Sequence, residues 1–275
     1  MIDPLYATSG FVVGLLVGMT GVGGGSLMTP ILILVFGVHP ATAVGTDLLY
    51  AAATKTGGVL IHGISRSIDW AIVKRLASGS LPATVATLFL LSVMDLKSQT
   101  TDSLITIVLC FALIATAAIL ALRDLIVRSL RSSLSEIEPR TAETWTPVVG
   151  AFVGLVVSIS SVGAGAIGFM ALVILYPRLA LSKIVGSDIA HAVPLTLVAG
   201  LGHWLIGTVD WPIMGSLLAG SLPGIFLGSY FAIRMPETAL RFILAGTLFL
   251  VAGRLAYQHL SQYSIVTAFT RRALH

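Results

Sequence analysis

Apolar positions dominate this chain and fall into long blocks separated by short polar stretches. Eight such blocks are visible, at roughly 5–37, 41–62, 69–93 and 103–123, then 146–177, 182–206, 211–233 and 238–257. Residues 103–122 carry no charge, Asp102 lying just outside them. A run of about 20 apolar residues matches the roughly 30 Å hydrocarbon core of a bilayer. The pattern therefore predicts an all-α integral membrane protein, because a helix satisfies every backbone polar group within its own segment.

The first and fifth blocks are too long for one ordinary span. Each is interrupted by glycines, Gly21-Val22-Gly23-Gly24-Gly25 in one and Val162-Gly163-Ala164-Gly165 in the other. Glycine lowers helix propensity and permits positive φ. Two readings follow: a long, tilted, broken helix, or a re-entrant hairpin that turns at the glycines.

The polar positions reveal a duplication. Residues 44–82 laid over 185–223, a shift of 141, give 14 identities in 39 positions. Val44-Gly45-Thr46-Asp47 meets Val185-Gly186-Ser187-Asp188, His62 meets His203, Asp69-Trp70 meets Asp210-Trp211, and Gly79-Ser80-Leu81-Pro82 meets Gly220-Ser221-Leu222-Pro223. Upstream the shift is 140, with Gly14 on Gly154 and Val22-Gly23 on Val162-Gly163. Internal repeats are typical of secondary transporters. The domains expected are a first membrane repeat over 1–123, a polar linker over 124–145, a second membrane repeat over 146–257 and a tail over 258–275.

Charge orients the repeats. In the first half the loop between the second and third blocks, with its flank, carries Arg66, Lys74 and Arg75, and the other side offers only Lys97. In the second half the bias reverses: the corresponding loop has no Lys or Arg, while the other side has Arg178, Lys183, Arg234 and Arg241. Basic loops tend to stay cytoplasmic. The halves are therefore expected to be inverted, each with three full spans plus a broken or re-entrant hairpin. Eight simple spans are the plainer reading.

Composition narrows the function. The chain has 275 residues, 56% hydrophobic and 10% charged, with a mean hydropathy of +0.98. Soluble domains carry about 25% charged residues. The start, Met1-Ile2-Asp3-Pro4, lacks a basic n-region, so the first block is expected to stay in the mature protein. The one cysteine, Cys110, excludes an intramolecular disulfide and any multi-cysteine metal site. The net charge of +4 sits mostly in short loops and does not indicate nucleic-acid binding. No G-x-S-x-G, H-E-x-x-H or Walker sequence occurs, so an enzyme is not expected.

Candidate site residues follow from the breaks. Irregular backbone inside a bilayer must be buried in protein or line a wet cavity. A helix that starts after such a break offers free N–H groups to an anion. Gly23, Gly24, Gly25 and Ser26 in the first half, and Ser161, Gly163 and Gly165 in the second, are candidates for binding an anion. Close helix packing is the alternative use of such small residues. Gly45-Thr46 and Gly186-Ser187 open the next blocks and offer hydroxyls and amides, or simply cap helices. Lys55 lies mid-block, where a charge must face a cavity or a partner. Asp47, Asp188 and His191 are candidates for coupling or gating, since carboxylates repel an anion and imidazole titrates near neutrality. Asp69 and Asp210 read as helix caps, and Trp70 and Trp211 as interfacial anchors.

With these residues in hand, the chain resembles the sulfite exporter TauE/SafE family. The resemblance rests on the early G-x-G-G-G stretch, on Ala43-Val44-Gly45-Thr46, on His62 with Asp69-Trp70, and on their second-half copies. It covers both halves outside the linker and tail. It implies transport of sulfite, sulfoacetate or a related sulfur-containing anion, often outward. Family members commonly show Gly-Thr-Ser where this chain has Gly-Thr-Asp and Gly-Ser-Asp, and the family spans several substrates.

The expected function is a secondary transporter, an exporter of a small sulfur-containing anion across the cytoplasmic (inner) membrane, holding it between the repeats. A passive anion channel and a membrane scaffold or assembly protein are the alternatives. No cofactor is expected beyond a coupling ion, H+ or Na+. The expected partners are the anion, the lipid bilayer and, as an oligomer, a second copy in a homodimer.

Overall fold

A computed structural model describes residues 3–20, 25–64, 67–96, 98–133, 138–232 and 237–273. The chain is an all-helical integral membrane protein, with no strand among the described residues. The helices are α1 (Pro4–Thr20), α2 (Gly25–Leu34), α3 (Pro40–Ile64), α4 (Trp70–Val93), α5 (Gln99–Ser133), α6 (Pro139–Ser160), α7 (Ile167–Leu175), α8 (Leu181–Leu205), α9 (Trp211–Ala232) and α10 (Glu237–Ala273). Stretches within α4, α5, α6, α8, α9 and α10 are long and apolar enough to cross a membrane, and the apolar stretch of α1 is shorter. At 25 residues α3 also has the length for a crossing, about 1.5 Å per residue.

The stretch 124–145, read from its polarity as a linker, is largely helical. Helix α5 runs on to Ser133, and α6 starts at Pro139, with proline in its first turn, where its missing N–H costs nothing. The stretch from 258 is likewise helical, to Ala273. Loss of apolar character therefore does not end either helix.

Both long, glycine-broken blocks fold back on themselves. The hydroxyls of Thr146, near the start of α6, and Tyr176, just after α7, lie 2.8 Å apart although 30 residues separate them. A continuous helix would hold them about 45 Å apart. The reversal is made at Ser161 (φ 60°) and Gly163 (φ +106°), the latter an angle that only glycine adopts without strain. In the first half, Tyr6 of α1 stacks on Phe36, after α2, with ring centroids 4.3 Å apart. The turn between α1 and α2 falls on 21–24, outside the described residues.

The hairpins are exchanged between the halves: α1 packs on α9, and α6 packs on α4. Glycines let the backbones touch. A Cβ at Gly10, Gly14 or Gly18 would strike the backbone of Leu217, Ser221 or Ile225, and one at Gly220 would strike Ala7. On the other side Gly150 and Gly154 abut Leu76 and Ser80, and Gly79 abuts Pro147. Every pair in the second group with a counterpart in the first is its copy at a shift of 140 or 141: Gly10–Leu217 answers Gly150–Leu76, Gly14–Ser221 answers Gly154–Ser80, and Gly220–Ala7 answers Gly79–Pro147. Small residues at such spacing are how membrane helices approach closely without a hydrophobic driving force between them.

Helices α3 and α8 cross at the centre, wrapped by the hairpins, α4 and α9, while α5 packs on α10. The outer faces carry Phe89, Phe111, Phe152, Phe226 and Phe249, all exposed, as a lipid-facing surface demands. Arg241 of α10, itself buried, grips Asp124 of α5 through two bonds of 2.8 and 3.0 Å.

Candidate functional site

The centre of the molecule is polar. Asp47 of α3 is fully buried. Its Oδ2 accepts a hydrogen bond from Thr29 of α2 at 2.5 Å and another from Ser161, at the tip of the second hairpin, at 2.9 Å. One carboxylate thus ties both hairpins to α3. Its repeat counterpart, Asp188 of α8, is 3% exposed. Asp188 accepts no hydrogen bond among the described residues, and its buried Oδ1 has no partner. That oxygen lies against Gly168 in the first turn of α7, so closely that a Cβ there would collide with it.

Lys55, two turns beyond Asp47, is half-buried. It sits within electrostatic range of both Asp47 and Asp188 and closes an ion pair on neither. His191, one turn beyond Asp188, is 1% exposed and pairs through Nε2 with the Ser80 hydroxyl of α4 at 2.7 Å. Its Nδ1 is buried without a partner. Tyr50 holds the corresponding place on α3, beside Ser221 of α9. No group of three or more His, Cys, Asp or Glu among the described residues could hold a metal ion.

The hydroxyls of Thr46 and Ser187 lie at the rim of this centre. Thr46 accepts the backbone N–H of Asp210 at 3.0 Å, and Ser187 accepts that of Asp69 at 2.8 Å. Gly45 and Gly186 sit where a Cβ would strike the backbone oxygens of Thr208 and Ser67. These four residues thus hold the corners before α9 and α4. Asp69 caps α4 through the N–H groups of Ala71 and Ile72, and Asp210 takes the N–H of Ile213. His203 is buried between the Thr208 hydroxyl and the Ser158 carbonyl.

The candidates from sequence therefore separate. The structure brings Asp47, Ser161, Lys55, Asp188 and His191 together at the centre. Gly163 shapes the tip that presents Ser161, and Gly165 lies in the same turn. Gly25 and Ser26 open α2, one turn before Thr29. Gly23 and Gly24 lie outside the described residues. Sequence reasoning passed over Thr29, which no local signal marks, and Ser80. The second was within reach, since Ser80 belongs to the repeated Gly-Ser-Leu-Pro block.

A family model described as sulfite exporter TauE/SafE matches residues 6–255. The chain belongs to the sulfite exporter TauE/SafE family. It is 37% identical over 245 residues to the probable membrane transporter protein YjnA of Bacillus subtilis (strain 168), covering 89% of this chain and 95% of that one. The probable membrane transporter protein YdhB of the same organism is 25% identical over 236 residues, 84% of this chain and 91% of its own. YunE, described in the same terms, is 39% identical over 70 residues, 26% of each chain. No solved structure matches. The chain is thus a multi-pass member of a family of membrane transporters, with its polar residues gathered where the two hairpin-bearing halves meet.

Proposed function

We propose that this chain is a secondary transporter that carries a small sulfur-containing anion, such as sulfite or an organosulfonate, out of the cell across the cytoplasmic membrane. The observation that carries the reading is the half-buried Lys55 beside the polar centre on which the hairpins converge. A cation at mid-helix is costly in lipid and is retained where it faces a pathway or a partner. The first turn of α7 supplies amide donors on the same centre, while the Ser161 hydroxyl is engaged by Asp47. The anion binds between the halves, on Lys55 and these amides, and its movement is coupled to that of H+ or Na+.

Membership of the sulfite exporter TauE/SafE family supports the substrate class and the outward direction. The halves are inverted in this reading. Three long helices, α3, α4 and α5, separate the hairpins, and three crossings bring the second hairpin in from the opposite face. Alternating access then amounts to rocking one half against the other around a fixed site.

The test is flux in proteoliposomes holding the purified protein, with sulfite and sulfoacetate as probes and imposed H+ or Na+ gradients. Gradient-driven movement of at least one probe is expected, with loss in Lys55→Ala. No movement of either anion under any gradient counts against the reading.

A further inference from the structure

Asp47 and Asp188 occupy equivalent repeat positions but have unequal surroundings. Asp47 has a buried Oδ1 without a partner but two hydroxyl donors on Oδ2. Asp188 has none, and its Oδ1 is enclosed without a partner against Gly168. A buried carboxylate without donors needs a cation or a proton, because an uncompensated buried charge costs several kcal/mol. Among the described residues the cation within range is Lys55. The repeat counterpart of Lys55 is Thr196, so two carboxylates share one amine. With both carboxylates ionised and Lys55 protonated, the centre carries one net negative charge.

The other titratable groups around Asp188 do not supply that charge. His191, on its own helix, is engaged with Ser80. From α3 come Lys55, Asp47 and Tyr50. From α4 comes Asp69, whose carboxylate is spent on the cap of its helix. The facing residue of α7 is glycine.

We propose that Asp188 is the proton-carrying group of the transport cycle, taking up one proton when the anion draws the charge of Lys55 away from it. This deepens the reading above and rests on it for the anion. In the empty centre Lys55 offsets Asp188. An entering anion takes Lys55, Asp188 binds a proton at a carboxylate oxygen, and the proton leaves when Lys55 returns. No other bond forms or breaks. Linkage is reciprocal, so a bound proton also favours the anion. Anion and proton therefore bind together and move in the same direction, one for one, so export runs down the anion's own gradient and carries one proton out with each anion. Asp47 keeps its bonds to Thr29 and Ser161 throughout.

The infrared band of a protonated carboxyl group, measured on the purified full-length protein at neutral pH, tests this without any substrate. Wild type is expected to lack the band and Lys55→Met to show it. Lys55→Met/Asp188→Asn is expected to lose it, and Lys55→Met/Asp47→Asn to keep it. Lys55→Arg, which retains a cation and guards against a folding defect in Lys55→Met, is expected to match wild type. No band in Lys55→Met, or a band that follows Asp47, overturns the proposal, as does sulfoacetate flux in proteoliposomes that follows a Na+ gradient and moves no protons. Adding sulfoacetate or sulfite to wild type is expected to raise the same band. If Lys55→Met shows the band and neither anion raises it in wild type, the proton site stands and the substrate reading fails.

Discussion

Gly79→Ala isolates the contact that joins the halves. Gly79 lies on α4 where α6 passes backbone to backbone. An added Cβ would strike the Pro147 carbonyl oxygen and lie 2.6 Å from its carbon and 3.0 Å from the Ala151 nitrogen. Ordinary contact begins at 3.4 Å, so relief at the carbon alone requires a retreat of 0.8 Å (3.4 minus 2.6). Backbone atoms cannot rotate away as a side chain could. Gly150 and Gly154 set the same close approach elsewhere on the interface, so a retreat at Gly79 loosens both of those contacts too. Overpacking of this kind costs about 1–3 kcal/mol. Alanine also gains about 1 kcal/mol in helix propensity, which hides part of the loss. Gly215→Ala on α9 removes that ambiguity, because a Cβ there meets nothing within 4 Å. The difference between the two variants, read by unfolding in detergent with circular dichroism, is therefore the steric cost: about 1–3 kcal/mol against Gly79→Ala. Equal stability of the two variants would refute the argument that glycine is needed for this approach.

Three further outcomes follow from the same geometry. Thr46→Val and Ser187→Ala strand the N–H groups of Asp210 and Asp69, and each should cost about 1–3 kcal/mol in detergent unfolding while leaving the KM for anion flux unchanged; a raised KM with unchanged stability would move these hydroxyls from the corners to the substrate. Gly163→Ala forces a side chain onto φ +106° beside Ile167, with an expected loss of about 1–3 kcal/mol and of flux, checked by unfolding and by proteoliposome uptake. Single cysteines at Ile68 and Val209, in a Cys110→Ser background, should react with an impermeant thiol reagent from opposite faces of the membrane. Reaction from the same face contradicts the inverted arrangement.

Much of the architecture can be read directly from residue order. An apolar run with no charge over 103–122 is about twice the length of a transmembrane strand, so it spans lipid as a helix, which satisfies every backbone group within itself. The spacing of Gly-Thr-Asp and Gly-Ser-Asp at 141 residues announces related halves, and glycines at 21–25 and 163–165 mark where two segments cannot continue straight. The end of α5 and the start of α6 lie beyond the apolar blocks, because hydropathy reports where a helix stops being apolar and not where its hydrogen bonding stops.

The roles of the polar residues could not be read this way. Thr46 and Asp210 meet across 164 residues, Ser187 and Asp69 across 118, and Ser161 and Asp47 across 114. A hydroxyl looks the same in sequence whether it caps a distant helix, anchors a carboxylate or faces an anion. Its role depends on which partner the packing brings within about 3 Å. Sequence alone determined a duplicated, helical membrane chain with two breaks. Tertiary structure alone decided that the breaks are hairpins, that one carboxylate receives both of them, and that its twin is left with an amine as its nearest means of compensation. Packing distinguishes two aspartates that the repeat made equivalent.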